Sequence, residues 1–212
     1  MEDCKEESEA PPSTVFKELE KYSSLDMRHS SGRVLGSMYT TPNPIAVRAH
    51  SMFIESNLGN LGLYKGTGAM ADKIKAVIYS IVNAGPESGL MFTSGGTEAN
   101  INALWIGRKS GYGTVIYGTN AHFSIRKAVD LLGMDGMTVE CGRDHVLDPG
   151  AVEEALAKAK GLCVVVATAG TTELGLIDPI PALSALASEK DAFLHVDAAY
   201  GGFMIPALRD LG

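Results

Sequence analysis

Hydrophobic positions change their spacing near residue 90 of this 212-residue chain. Before that point, apolar residues recur at helical spacing, which predicts amphipathic helices over residues 15–22, 44–56 and 69–84. Glycine-rich loops separate the first two helices and the last two. After residue 90, short apolar runs alternate with helical segments, as is typical of a parallel sheet with crossover helices. The pattern therefore predicts an α/β fold for the second part of the chain.

The alternating region predicts five strands and the start points of two helices. The strands are expected at residues 90–93, 114–117, 137–140, 162–168 and 193–196. Asp148-Pro149 and Asp178-Pro179 each place a capping side chain before a proline at the first helical position. We therefore expect helices to begin directly after both aspartates.

Composition is that of a globular protein and excludes several classes of partner. The chain is 45% hydrophobic and 20% charged, and its formal net charge of -7 provides no basic surface for nucleic acid. Cys4, Cys141 and Cys163 are far apart and form no CxxC pair, so neither a disulfide framework nor a metal site is predicted. This cysteine usage fits the cytoplasm.

The most polar stretch of the chain predicts a disordered tail, and the most apolar stretch argues against a membrane protein. Residues 1–13 are acidic and polar, so we expect them to be disordered. The longest apolar run, "LCVVVA", is far too short to span a bilayer, and no apolar segment follows the N-terminus. The sequence thus indicates neither export nor membrane insertion.

Two glycines and a threonine follow the first predicted strand and open a helix. In open parallel sheets ligands bind beyond the carboxyl ends of the strands, where Gly95, Gly96 and Thr97 are expected. Backbone without side chains, a helix N-terminus and a hydroxyl together suit a phosphate. A plain strand-to-helix turn is the alternative. A dinucleotide fingerprint is disfavoured, because the third glycine of GxGxxG is absent.

Asp197 ends the fifth predicted strand, and within ten residues on its N-terminal side the sequence has no lysine or arginine except Lys190, which belongs to the preceding helix. A buried carboxylate needs a cationic partner or strong hydrogen bonds. We therefore expect a ligand to supply the cation. A phosphate at one end and a protonated ring nitrogen at the other describe pyridoxal phosphate, with Ala199 below the ring and His122 above it.

Four motifs, in order and at compatible spacing, resemble one family. They are "SGGTEAN", "AHFSIRKA", "GTTELGLID" and "HVDAAYGG". The chain is similar to the pyridoxal-phosphate-dependent group II amino-acid decarboxylases, which include aromatic amino-acid and glutamate decarboxylases. Further stretches, "GSMYTTPNP" and "ESNLGNLGLYKGT", resemble the archaeal tyrosine/aspartate branch of that family. The similarity extends from about residue 14 to residue 212.

The resemblance implies a fold and a division of the chain. The fold is the fold type I large domain of pyridoxal-phosphate enzymes, a mainly parallel sheet with helices on both faces. Its seven strands have the order 3-2-4-5-6-7-1, and this chain would be truncated after the fifth, leaving the first strand without its neighbour. The implied division is a tail at residues 1–13, a helical segment with substrate-pocket loops at residues 14–85, and a partial cofactor-binding domain at residues 86–212.

The resemblance also implies roles for single residues. Gly95, Gly96 and Thr97 would bind the phosphate. His122 would stack on the ring and take part in catalysis, and Thr172 would support Asp197 at the pyridine nitrogen. The substrate pocket would include four further residues, which are Ser37, Met38, Tyr64 and Lys65.

The implied activity is decarboxylation of an L-amino acid by a homodimer, with tyrosine giving tyramine for methanofuran or aspartate giving β-alanine for coenzyme A. The Schiff-base lysine of the family would follow residue 212, and neither Lys65 nor Lys127 is placed to replace it. We therefore expect this chain alone to be an inactive fragment. Two alternatives are another pyridoxal-phosphate lyase, such as a carbon–carbon lyase or desulfurase, and a non-catalytic partner protein.

Overall fold

The computed structural model describes residues 11–37 and 39–211, and these divide into two compact units between Thr67 and Gly68. Most of the predicted disordered tail and the predicted pocket residue Met38 lie outside the described residues. Pro12 and Ser13, which were predicted as part of the tail, belong instead to the first helix.

The described residues form eight α-helices, one short 3-10 helix at His29–Ser31 and four strands. The helices are α1 Pro12–Ser23, α2 Pro44–Met52, α3 Lys65–Val82, α4 Gly96–Lys109, α5 Phe123–Leu132, α6 Pro149–Lys158, α7 Ile180–Glu189 and α8 Gly201–Leu211. The strands are β1 Thr114–Gly118, β2 Asp135–Val139, β3 Cys163–Thr168 and β4 Phe193–Asp197. The three helices predicted before residue 90 are all present, with ends shifted by a few residues.

The four strands form one parallel sheet in the order β2-β1-β3-β4. This order equals 3-2-4-5 of the implied family sheet when the strand predicted at residues 90–93 is counted as the first. That strand prediction was wrong, since residues 90–93 form no strand. The physical reason is that an extended segment becomes a strand only by pairing, and no described strand lies beside this one.

Alternate side chains of the two central strands pack into separate cores on the two faces of the sheet. Val115, Val164 and Val166 face one core, which α4 and α5 cover. Ile116 and Val165 face the other, which α6 and α7 cover. β1 and β3 are buried on both faces, so apolar and polar residues do not alternate along them. The sheet therefore provides a rigid support for the loops at its carboxyl edge.

Of the two aspartates predicted to cap helices, one does so and the other does not. Asp148 caps α6, and its Oδ1 accepts the backbone N–H of Gly150 at 3.1 Å. Asp178 does not cap α7, which begins at Ile180 after Pro179 and has no side-chain cap. The buried Asp178 carboxylate instead accepts hydrogen bonds from groups of other segments. The Asp-Pro pattern predicts a helix start, but it does not show which N–H groups the carboxylate reaches.

Across residues 11–37 and 39–211, no helix combines the length and the apolar character needed to cross a bilayer. The same residues contain no cluster of three or more histidine, cysteine, aspartate or glutamate side chains suited to a metal ion.

Candidate functional site

The Asp197 carboxylate lies at the carboxyl end of β4 and is 8% exposed. Its Oδ2 accepts a hydrogen bond from Asn100 Nδ2 at 2.8 Å, and its Oδ1 accepts the backbone N–H of Ala199 at 3.1 Å. No ion pair among the described residues includes it. The site therefore holds a buried carboxylate that two neutral donors orient and that no cation among the described residues neutralises.

Asn100 is the hydrogen-bonding centre of the site, and it was not predicted. It lies on α4, is 3% exposed, and bonds to Ser124 Oγ at 2.8 Å as well as to Asp197. Its Oδ1 lies 2.8 Å from Nε2 of His195. Ser124 is also fully buried. The signal available in the sequence was "SGGTEAN" itself, in which Asn100 falls one helical turn after Gly96 on the same helix.

His122 is the N-cap residue of α5, and its ring accepts the backbone N–H of Ser124 at Nδ1, at 3.3 Å. The Ser124 hydroxyl lies 2.8 Å from the same ring nitrogen. The ring is half-buried, and its centroid is 4.1 Å from that of Phe123. The structure thus joins His122 to Asp197 through Ser124 and Asn100, although the two residues come from different elements.

Burial lowers the pKa of His195 below its ordinary value, and the nearby charge of Asp197 opposes this shift. His195 precedes Asp197 by two residues in β4 and lies against the same amide. The neutral imidazole is therefore the favoured form of this ring in the folded chain. His195 therefore contributes a neutral ring that contacts Asn100 at the base of the site.

The N-terminus of α4 has the properties of an anion site. Gly95 is its N-cap residue, and no side chain caps the helix. The Thr97 hydroxyl is half-buried and makes no hydrogen bond to the described residues. The Glu98 carboxylate accepts hydrogen bonds from the hydroxyl and the backbone N–H of Ser94, and these hydrogen bonds lower its pKa. The first-turn N–H groups of a 14-residue helix therefore remain available to a ligand.

Close backbone approach brings this anion site to the end of β4. A Cβ atom placed on Gly96 would lie 3.2 Å from Cβ of Ala199, which is tighter than most such contacts. A side chain at position 96 would therefore press against the segment that follows Asp197. Asn100, which bonds to Asp197, lies one turn of α4 after Gly96. The anion site at the start of α4 and the buried carboxylate are therefore neighbours in this structure.

The loop after β3 is tied to the same edge of the sheet. Ala169 donates its N–H to the carbonyl of Asp197 at 2.8 Å, and Gly201 donates to the carbonyl of Ala169 at 2.9 Å. Thr171 Oγ1 accepts the N–H of Leu176 at 3.0 Å and so closes the loop. Thr172 is exposed and makes no hydrogen bond to Asp197. The support of Asp197 predicted for Thr172 is supplied by Asn100 in this structure.

The described residues of the predicted substrate pocket belong to the first compact unit. Ser37 is exposed and its Oγ accepts the N–H of Tyr39 at 3.5 Å. Tyr64 is half-buried, and Lys65 is exposed at the start of α3. Their role in a substrate pocket stays a prediction.

Comparison with known proteins identifies relatives of this chain. Residues 112–211 match the family described as the pyridoxal-dependent decarboxylase conserved domain. The chain is 38% identical over 201 residues to the probable L-tyrosine/L-aspartate decarboxylase of Methanosphaera stadtmanae, covering 92% of this chain and 51% of that protein. It is 41% identical over 195 residues to the probable L-aspartate decarboxylase of Archaeoglobus fulgidus, covering 91% and 52%.

Among solved structures, the sphingosine-1-phosphate lyase of Burkholderia pseudomallei is similar with a TM-score of 0.84 and 27% identity. The match covers 100% of this chain and 52% of that one. The chain therefore spans about half the length of the relatives it matches. The predicted fold class, a fold type I large domain with a mainly parallel sheet and helices on both faces, is confirmed.

Proposed function

Because residues 112–211 carry the pyridoxal-dependent decarboxylase conserved domain, we propose that this chain forms the cofactor-binding part of an amino-acid decarboxylase. One observation supports the proposal above others. The buried Asp197 has no cationic partner among the described residues, and it lies beside an uncapped helix N-terminus. A cofactor with a phosphate and a protonated ring nitrogen would satisfy both groups.

The residues present fit pyridoxal phosphate. The N–H groups of Gly96 and Thr97, together with the Thr97 hydroxyl, would hold its phosphate, and Asp197 would hold its ring nitrogen in the protonated form. When bound, the cofactor supplies an electron-accepting ring that stabilises the charge left by loss of carbon dioxide. Asn100 and the Ala199 N–H hold the Asp197 carboxylate in one orientation. His122 would lie on the ring and carry a proton at Nε2.

The substrate class comes from the relatives. One is named as a probable tyrosine/aspartate decarboxylase and another as a probable aspartate decarboxylase. We propose aspartate or tyrosine as the substrate of the whole protein. Assembly as a homodimer, a cytoplasmic location and a role in methanofuran or coenzyme A biosynthesis stay predictions.

Cofactor binding is tested with pyridoxine 5'-phosphate, which keeps the phosphate and the ring nitrogen but has no aldehyde to react with surface lysines. Calorimetric titration of the chain should show one saturable site. Thr97→Ala and Asp197→Asn should each weaken binding about tenfold or more, because each removes an interaction with a charged group.

Thr138→Ala and Asp135→Asn serve as matched controls, since both residues are exposed on the edge strand β2. Both controls should bind like the unaltered chain. Pyridoxine without the phosphate should bind much more weakly than its phosphate ester. Equal affinity for the two compounds would contradict the phosphate assignment, and no binding of either would contradict the cofactor proposal.

A carbon–carbon lyase is the second candidate, and the structural similarity to a sphingosine-1-phosphate lyase favours it over a desulfurase. The products separate these reactions in the whole protein. A decarboxylase releases carbon dioxide from free amino acids, a carbon–carbon lyase releases an aldehyde, and a desulfurase releases sulfur from cysteine.

A further inference from the structure

Asn100 uses its whole amide group in the site. Its Nδ2 lies 2.8 Å from both Ser124 Oγ and Asp197 Oδ2, and its Oδ1 lies 2.8 Å from His195 Nε2. An asparagine amide offers two donor hydrogens and one acceptor oxygen. All three directions end on side chains from other elements, so α4 is connected here to α5 and to β4.

The Asp197 carboxylate determines the orientation of the amide. An ionised carboxylate only accepts hydrogen bonds, so the NH₂ group of Asn100 must face it. The amide oxygen then faces His195, whose Nε2 must carry a hydrogen in order to donate. Since burial favours the neutral form of His195, that hydrogen is the only one on the ring nitrogens.

The hydrogen bonds that run from Asn100 through Ser124 to His122 also have a defined direction. Ser124 Oγ accepts from Asn100 Nδ2, and the backbone N–H of Ser124 donates to Nδ1 of His122. Nδ1 therefore carries no hydrogen, and the Ser124 hydroxyl can donate to it over 2.8 Å. The proton of a neutral His122 ring is consequently placed on Nε2, the nitrogen that no described residue binds.

We infer that Asn100 is a positioning residue. It sets the direction of the hydrogen bonds to His195 and, through Ser124, to His122, and so holds Asp197 and His122 in one relative placement. Its role toward the cofactor rests on the proposed function, in which those two residues contact the ring. An aspartate at position 100 would oppose Asp197 with a second acceptor, and a serine would be too short to reach three partners. Asparagine alone among short side chains combines two donors with an acceptor.

The ring tautomers test the inference without any cofactor. Long-range proton–nitrogen correlation spectra of the uniformly labelled chain should show both His122 and His195 protonated at Nε2 and unprotonated at Nδ1 near pH 7.5. Ser124→Ala should change the His122 signals and leave the His195 tautomer as it was. A hydrogen on Nδ1 of either ring in the unaltered chain would overturn the assignment.

Ligand affinity tests the positioning role, with Asn120→Ala as the matched control. Asn120 is a half-buried asparagine of the same compact unit, and like Asn100 it donates to an aspartate, in this case Asp178, at 2.9 Å. Asn100→Ala should weaken binding of pyridoxine 5'-phosphate about tenfold, and Asn120→Ala by less than about twofold. Equal losses in the two variants would overturn the role.

The two kinds of failure can be told apart. An unaltered chain that shows both expected tautomers but binds no pyridoxine 5'-phosphate would refute the proposed function and, with it, the role of Asn100 toward the cofactor. The hydrogen-bond directions would then stand on the spectra alone. A chain that binds the ligand but shows either histidine as the Nδ1–H form would keep the proposed function and overturn the inference about Asn100.

Discussion

At the scale of single residues, Asp197 shows what a sequence pattern can predict about a site. Its position at the end of an apolar strand predicted a buried carboxylate, and Asp197 is buried in the structure. The expectation that a ligand supplies its cationic partner stays a prediction. Its actual partners, Asn100 and the Ala199 N–H, were not predicted. Asn100 is 97 residues away in the chain, and no local spacing rule connects two residues at that distance.

His195 should make the stability of the folded chain depend on pH. Its pKa is lowered by burial from the ordinary value of 6.5, so between that value and its lowered one the unfolded chain binds more protons than the folded chain. Stability is therefore fully present above pH 6.5 and declines as the pH falls toward the lowered pKa. Urea unfolding between pH 7.5 and 5.5, followed by fluorescence of Trp105, measures the decline.

His195→Gln should flatten that pH dependence, because glutamine can still donate to Asn100 and does not titrate. His50→Gln is the control, since His50 is exposed on α2 in the other compact unit. The control should retain the slope of the unaltered chain. A slope in His195→Gln as steep as in the control would show that another group causes the decline.

At the scale of secondary-structure elements, Asp178 holds together three segments that meet beside the sheet. Its Oδ1 accepts the N–H of Leu147 and the amide of Asn120, each at 2.9 Å. Its Oδ2 accepts the N–H of Thr168 at 2.7 Å, at the end of β3. Asp178, Leu147 and Thr168 are all buried, so the two backbone N–H groups have no access to water as a substitute partner.

Asp178→Ala should therefore lower the free energy of unfolding by about 2–4 kcal/mol, since it leaves two buried backbone N–H groups without an acceptor. Asp148→Ala is the matched control, because it also removes an aspartate that precedes a proline. Loss of that exposed cap should lower the free energy of unfolding by about 1 kcal/mol. Urea denaturation of both variants gives the comparison, and equal losses would argue against the buried role of Asp178.

At the scale of the whole molecule, the described residues bring Asp197, Asn100 and His122 together but place no lysine in hydrogen-bonding contact with them. Lys127 Nζ lies 5.1 Å from the centroid of the Phe123 ring, and Lys65 belongs to the first compact unit. No lysine among the described residues binds Asp197, Asn100 or His122. The parallel sheet also has β2 and β4 as its edges, with no described strand beyond either.

We therefore expect the 212-residue chain alone to release no carbon dioxide from tyrosine, aspartate or glutamate in the presence of pyridoxal phosphate. The decarboxylase of Methanosphaera stadtmanae, assayed under the same conditions, is the positive control for the assay. Carbon dioxide release by the chain alone would contradict the expectation of an absent lysine. Lys127→Ala and Lys65→Ala would then show whether either residue acts as a substitute.

The sequence by itself determined the α/β class, four of the strands to within two residues at either end, the start of α6 and the carboxylate at the end of β4. These features depend on short-range periodicity and capping, which neighbouring residues carry. The tertiary structure decided the rest. Residues 90–93 form no strand because they have no partner, Asp178 turns inward instead of capping α7, and Asn100 connects α4 to Ser124 and Asp197. Pairing and buried hydrogen bonds join residues that are distant in the chain, so only the folded arrangement specifies them.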